Sequence, residues 1–163
     1  MEKKQGTLAN SNGKVVETML LPLFTKNGFE VLSYKDYSKL TAESRPPKYV
    51  IKEVPFTTIY NAPGRTEFVI VDTTQNRTIR IESKYQATAG SVDEKYPYMF
   101  LNAVEQYPEK EIILIVDGDG YKAGAREWLE RKINENWLDF KGKGKTIKLM
   151  KIIEFINWFN HEF

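Results

Sequence analysis

"TEFVIVDTTQNRTIRIESKYQ", Thr66 to Gln86, is the stretch whose reading decides the fold. Two runs rich in Phe, Val and Ile flank the polar segment Thr73 to Asn76, the pattern of a β-hairpin. The register follows from matching faces. Phe68 and Ile70 share an apolar side with Ile79 and Ile81 only if Phe68 lies opposite Ile81 and Ile70 opposite Ile79. Glu67 then faces Glu82, and like charges so opposed, with Cβ atoms roughly 5 Å apart, repel. On the second run Arg80, Glu82, Lys84 and Gln86 occupy every second position, so an extended chain puts them on one face. Alternating charge of this kind is either a solvated sheet face or a site where a divalent cation offsets the two glutamates.

At 163 residues, with 41% hydrophobic and 13% aromatic content, the chain predicts one well-cored domain over residues 1–163. A net charge of +2 neither demands nor forbids a nucleic-acid partner. Cysteine is absent, which removes disulfides and thiolate chemistry and fits a reducing compartment. The lone histidine, His161, sits near the end of the chain, so imidazole-centred hydrolysis and zinc chemistry lack their central residue. No window approaches the ~18 apolar residues of a membrane span. The expectation is a soluble, cytoplasmic protein without a membrane partner.

Outside the hairpin, a helix is expected from Ser11 or Asn12 to Gly28, kinked near its middle by Pro22, and then a strand over Phe29 to Leu32. Tyr34 to Phe56, with "RPPK" at Arg45 to Lys48, reads as an irregular basic connection. A helix follows Ser91, started either by the capping-box spacing of Ser91 and Glu94 or by Pro97 in its first turn. "EIILIVDGDG" (Glu111 to Gly120) is a buried strand and a glycine turn, "AGAREWLERKINENWL" (Ala123 to Leu138) an amphipathic helix, "TIKLMKI" (Thr146 to Ile152) a strand and "IEFINWFNHEF" (Ile153 to Phe163) a final helix. The fold class is therefore α/β, a mixed central sheet flanked by helices. On the first helix Glu17 shares a face with Leu20, Leu21 and Phe24, so a carboxylate issues from or borders the apolar stripe.

Hard oxygen ligands at Glu67 and Glu82 suit Mg²⁺ or Mn²⁺, and Lys84, roughly 6.8 Å beyond Glu82 on the same face, is near enough to reach a metal-held phosphate or water. A helix-borne Glu17, a strand-borne Glu67, Glu82-Ser83-Lys84 closing the hairpin and Gln86 two further on together resemble the PD-(D/E)XK nuclease superfamily, with its restriction-endonuclease-like fold. Glu67 departs from that pattern, because the family usually has Asp there. The resemblance implies that Glu67, Glu82 and the Ser83 carbonyl ligate the metal, that Lys84 is the catalytic lysine and that Glu17 is an auxiliary acid at a second metal. Gln86 matches a polar position that often follows the signature, or is a sheet-edge amide. Lys48, Arg45, Lys95 and Lys122 are candidate DNA contacts.

"IVDGDGYK" invites two other readings. An aspartyl-nucleophile phosphatase needs a longer downstream chain than this one has, and an EF-hand fails because Lys122 and Trp128 stand where Gly and Glu are required. The expected activity is a Mg²⁺-dependent DNA endonuclease of restriction, phage or mobile-element type, Mn²⁺ substituting, acting as a homodimer to cut both strands. A Holliday-junction resolvase or homing endonuclease of the same fold is the alternative within that class. A non-catalytic DNA-binding or assembly module is the alternative outside it.

Overall fold

The hairpin forms in the expected register. Strand β3 (Pro63–Asp72) pairs antiparallel with β4 (Arg77–Tyr85), with Phe68 opposite Ile81 and Ile70 opposite Ile79. The computed structural model describes residues 3–163, with side chains from Gly13 onward. Asp72 closes the hairpin loop: its buried Oδ1 accepts hydrogen bonds from the Thr74 N–H at 2.9 Å, the Thr74 hydroxyl at 2.6 Å and the Gln75 N–H at 3.3 Å. It is a turn residue and lies away from Glu67.

Four further strands complete a six-stranded sheet: β1 (Glu30–Ser33), β2 (Lys48–Thr57), β5 (Glu111–Asp117) and β6 (Thr146–Met150). Spatial order follows chain order. The β1–β2, β4–β5 and β5–β6 pairs are parallel, while β2–β3 and β3–β4 are antiparallel. Five helices accompany the sheet among the described residues: α1 (Lys3–Lys26), the single turn α2 (Tyr34–Tyr37), α3 (Lys95–Glu105), α4 (Ala123–Asn134) and α5 (Ile152–Glu162). The expected mixed α/β architecture is thus present.

Alternation along the strands builds two cores. On one face Val16, Leu20 and Phe24 of α1 and Phe155 and Phe159 of α5 pack on Phe68, Ile70, Ile79, Ile81, Ile113 and Ile115. On the other, Tyr96, Met99, Phe100 and Val104 of α3 and Leu129 of α4 cover Ile112, Leu114 and Val116. Each such side chain, fully buried, contributes about 1.5–3 kcal/mol. Covered on both faces, β5 is apolar throughout its centre, which is why Ile112 to Val116 show no polar alternation.

Three local expectations change. The basic connection contains the ten-residue strand β2, whose apolar Tyr49, Val50 and Ile51 are all buried. Pro55 is tolerated there because β1 pairs with β2 only as far as Lys52, so beyond that point β2 is an edge strand. The first helix starts at Lys3, so Ser11 and Asn12 lie within it and do not begin it, and it runs on through Pro22. Ser91 makes no side-chain cap; a 3₁₀ turn over Val92–Glu94 leads into α3, with Pro97 in the first turn.

Candidate active site

The charged face of β4 lies beneath α3 and the loop that follows it, and each member has a partner. Arg80, only 2% exposed, donates from Nε and Nη2 to both carboxylate oxygens of Glu109, at 2.5 and 2.9 Å, and from Nη1 to the Thr66 hydroxyl at 2.9 Å. Its guanidinium also lies over the Tyr107 ring, 5.1 Å from the centroid. Next along the strand, Lys84 bonds Glu82 Oε1 and donates to the Ser83 carbonyl at 3.0 Å. The second oxygen of Glu82, Oε2, is buried with no hydrogen-bond partner. In the alternating row of Thr78 to Gln86, Arg80 and Glu82 are therefore buried and Lys84 and Gln86 half-buried, so it is not a solvated face.

Glu67 sits where the sheet is distorted. The β3–β4 ladder ends at the Phe68–Ile81 pair, and the β2–β3 ladder skips one step between Lys52–Phe68 and Val54–Thr66. The residue skipped on β2 is Glu53, whose φ of 52° is a left-handed conformation that non-glycine residues seldom adopt. Beyond this point a carboxylate replaces the missing ladder acceptor: Glu67 Oε2 accepts from the Ser83 N–H at 2.8 Å. The side chain of Glu67 thereby reaches the backbone between Glu82 and Lys84.

Electrostatics couples the three groups. Burial pushes the Glu82 carboxyl above the usual carboxylate range, and the charge of Glu67 adds to the rise, against the opposing effect of Lys84 and Arg80. Burial alone lowers the Lys84 ammonium, but Glu82 and Glu67 outweigh it and hold the lysine protonated. Tyr107 is raised by burial and by the same two glutamates.

Two separate hollows are lined by these side chains. One, of about 340 Å³, is lined by Glu67 with Lys14, Glu17, Lys52 and Glu53. The other, of about 320 Å³, holds Glu82 and Lys84 with Arg65, Lys95, Tyr98 and Tyr107. Glu17 forms an ion pair with Lys52. Among the described residues no three acidic or histidine side chains converge into a ready ligand cluster. Close carboxylates repel, and each of these has a local donor instead: Lys52 for Glu17, the Ser83 N–H for Glu67 and Lys84 for Glu82.

The remaining candidates divide. Lys95 lines the hollow with Lys84. Lys122 precedes α4 and its N–H donates to Asp93 Oδ1 at 2.9 Å, while its side chain is exposed. Arg45 and Lys48, the other two candidate DNA contacts, lie away from Glu82 and Lys84. Lys48 pairs with Asp72 at the hairpin-loop end of the sheet, 3.8 Å away, and stands over the Phe29 ring, whereas Arg45 covers the Tyr37 ring. Both cations are held there by aromatic faces and a buried carboxylate. Gln86 turns its amide nitrogen onto the Thr88 carbonyl at 2.5 Å. Around it the glycine turn closes tightly: a Cβ at Gly118 would stand 2.2 Å from the Gln86 carbonyl oxygen, and one at Gly120 2.1 Å from that of Thr88. "DGDG" is thus the cradle of the Gln86 loop.

A family model described as "PD-(D/E)XK nuclease superfamily domain" matches residues 8–163. The chain belongs to the PD-(D/E)XK nuclease superfamily. No curated protein and no solved structure matches it. The superfamily generally uses divalent metals, and the donor set here fits one. Glu82 Oε2 is a buried carboxyl oxygen with no hydrogen-bond partner, a state that costs about 1–3 kcal/mol unless a ligand satisfies it, and the charge of Glu67 adds to the attraction of this carboxyl for a positive charge. Arg80, Thr66, Tyr107 and Glu109 carry no sequence motif. Only the alternation that places Arg80 beside Glu82 pointed toward them.

Proposed function

We propose that this superfamily member is a Mg²⁺-dependent endodeoxyribonuclease. The observation that carries the reading is the meeting of Glu67, Glu82 and Lys84 at the point where β3 parts from β4, with one oxygen of Glu82 buried and unpartnered. Glu82 and Glu67 would hold the cation, and the Ser83 carbonyl lies beside them. When bound, a divalent ion supplies a nucleophilic water at neutral pH and charge neutralisation at the phosphoryl oxygens. Lys84, half-buried between Glu82 and Glu67, remains protonated, so its role is to orient and neutralise and not to accept a proton. Glu17 stands one hollow away, paired with Lys52, and serves as an accessory acid. One such constellation per chain cuts one strand, so a double-strand cut takes two copies.

The test is incubation of supercoiled plasmid with Mg²⁺ or Mn²⁺. Wild type should nick or linearise the plasmid, while Lys84→Ala and Glu82→Gln should lose at least about a hundredfold in rate yet still bind DNA. Equal cleavage in EDTA, or undiminished cleavage by Glu82→Gln, overturns the reading.

A further inference from the structure

The hairpin loop between β2 and β3 carries an aromatic ring into solvent at the rim of the Glu82–Lys84 hollow. Tyr60 is 75% exposed, yet its ring is stacked on Tyr98, with centroids 5.2 Å apart and planes at 23°. Tyr98 itself lines the hollow together with Glu82, Lys84, Arg65 and Lys95. One face of Tyr60 is therefore covered and the other is open.

This ring is not at the end of a loose loop. The Thr58 N–H donates to the Ala62 carbonyl at 2.8 Å and the Asn61 N–H to the Thr58 carbonyl at 2.8 Å. Asn102, only 1% exposed, accepts from the Ile59 N–H at 2.9 Å and donates to the Tyr98 carbonyl at 3.0 Å. A buried amide thus ties the loop backbone next to Tyr60 to the helical turn that carries Tyr98. Gly64 completes the closure, because a Cβ there would stand 2.8 Å from the Thr58 methyl and 2.9 Å from the Phe56 ring.

We propose that Tyr60, stacked on Tyr98 and flanked by Arg65 and Lys95, is a platform for an unstacked nucleobase of the substrate strand. The proposal rests on the nuclease reading and deepens it. Arg65 and Lys95 are both exposed and form no ion pair among the described residues, so they are available to phosphates. Exposed aromatic faces next to cations are what binds a single nucleic-acid strand. A base inside a duplex has both faces covered by its neighbours, so Tyr60 selects a base that is single-stranded, frayed or extrahelical.

The experiment is equilibrium binding in EDTA, where hydrolysis is suppressed, of a short oligodeoxynucleotide containing 2-aminopurine. It is presented as a single strand and within a perfect duplex, with a fully abasic strand of equal length as a third probe. Stacking of one base changes affinity by about fivefold to a hundredfold. Tyr60→Ala and Tyr60→Leu should each weaken single-strand binding tenfold or more and abolish the 2-aminopurine fluorescence change, Tyr60→Trp should keep both, and the abasic strand should not distinguish the variants. Wild-type affinity in Tyr60→Ala, or in Tyr60→Leu, overturns the platform. An equal dependence on Tyr60 for the perfect duplex overturns the choice of an unstacked base. Plasmid cleavage in Mg²⁺, measured alongside, reports on the nuclease reading alone, because the stacking signal needs no turnover and should persist in Lys84→Ala.

Discussion

The Glu67 carboxylate accepts the Ser83 N–H at 2.8 Å at the step where the β3–β4 ladder has ended. One side chain therefore does two things: it replaces a backbone acceptor of the sheet, and it brings negative charge to within reach of Glu82 and Lys84. The two roles separate by substitution. Glu67→Gln keeps an acceptor for Ser83 and loses the charge, so its urea midpoint should match wild type while metal-dependent cleavage is lost. Glu67→Ala removes both and should cost a further ~1 kcal/mol of stability. Equal melts for Gln and Ala would show that the hydrogen bond contributes nothing.

Lys84 stabilises a buried carboxylate, so its removal has a pH signature. Burial and Glu67 raise the Glu82 pKa above its ordinary 4.5; an acid raised in the folded state favours folding while protonated and loses that advantage as pH climbs through the raised value. Without Lys84 the rise is larger, because the ammonium no longer opposes it. Wild-type Glu82 is raised to about 7, so the cost of Lys84→Ala should be largest above pH 7, where that carboxyl is ionised, and should shrink as pH falls through that value. Denaturant melts at a series of pH values check this; a difference from wild type that is constant with pH excludes an ionised Glu82 as its cause.

The core of the site was legible because its signal is periodic. Phe68, Ile70, Ile79 and Ile81 admit one register, which the structure keeps up to the Phe68–Ile81 pair; beyond it the expected Glu67–Glu82 pair gives way to a bond from the Ser83 N–H to the Glu67 carboxylate. What was not legible depends on tertiary partners. The strand β2 hides behind Pro46, Pro47 and Pro55 and three charged residues, and only pairing with β1 and β3 makes it a strand. A linear sequence does not reveal that Arg45 lies over Tyr37, or that Lys48 lies over Phe29 and beside Asp72. Nor does it reveal that Glu109, in a loop 29 positions away, neutralises Arg80. The ion pair of Glu17 with Lys52 required knowing that Lys52 is on a strand at all.

Asp72 offers a second pH test at the other end of the hairpin. Burial pushes its carboxyl up, but hydrogen bonds from Thr74 and Gln75 and the nearby Lys48 outweigh this and hold it below the ordinary 3.8. A lowered acid contributes stability above its unfolded value and loses it as pH falls through the folded one. Asp72→Asn should therefore cost about 1–2 kcal/mol at pH 7, with the gap closing only as pH drops below the ordinary value. Urea titrations at neutral and strongly acidic pH should show that convergence, with cleavage at neutral pH retained because Asp72 is remote from Glu67.

Glycine substitutions give opposite signs in one short segment. Gly118 has a φ of 97°, and a Cβ there meets the Gln86 carbonyl oxygen at 2.2 Å, so alanine is refused both by its own backbone and by the loop. Gly118→Ala should cost 2 kcal/mol or more, about the sum of a strained left-handed alanine and an overpacked contact, and should displace Gln86 and the chain beyond Lys84. Gly124 lies in α4 with nothing within 4 Å of a Cβ, and its φ is not in the left-handed range. Alanine there should stabilise by about 0.5–1 kcal/mol. Thermal melts of the two variants should move in opposite directions, and cleavage should fall only for Gly118→Ala. If Gly118→Ala melts like wild type, the Gln86 loop is not seated against the glycine turn and the cradle is wrong.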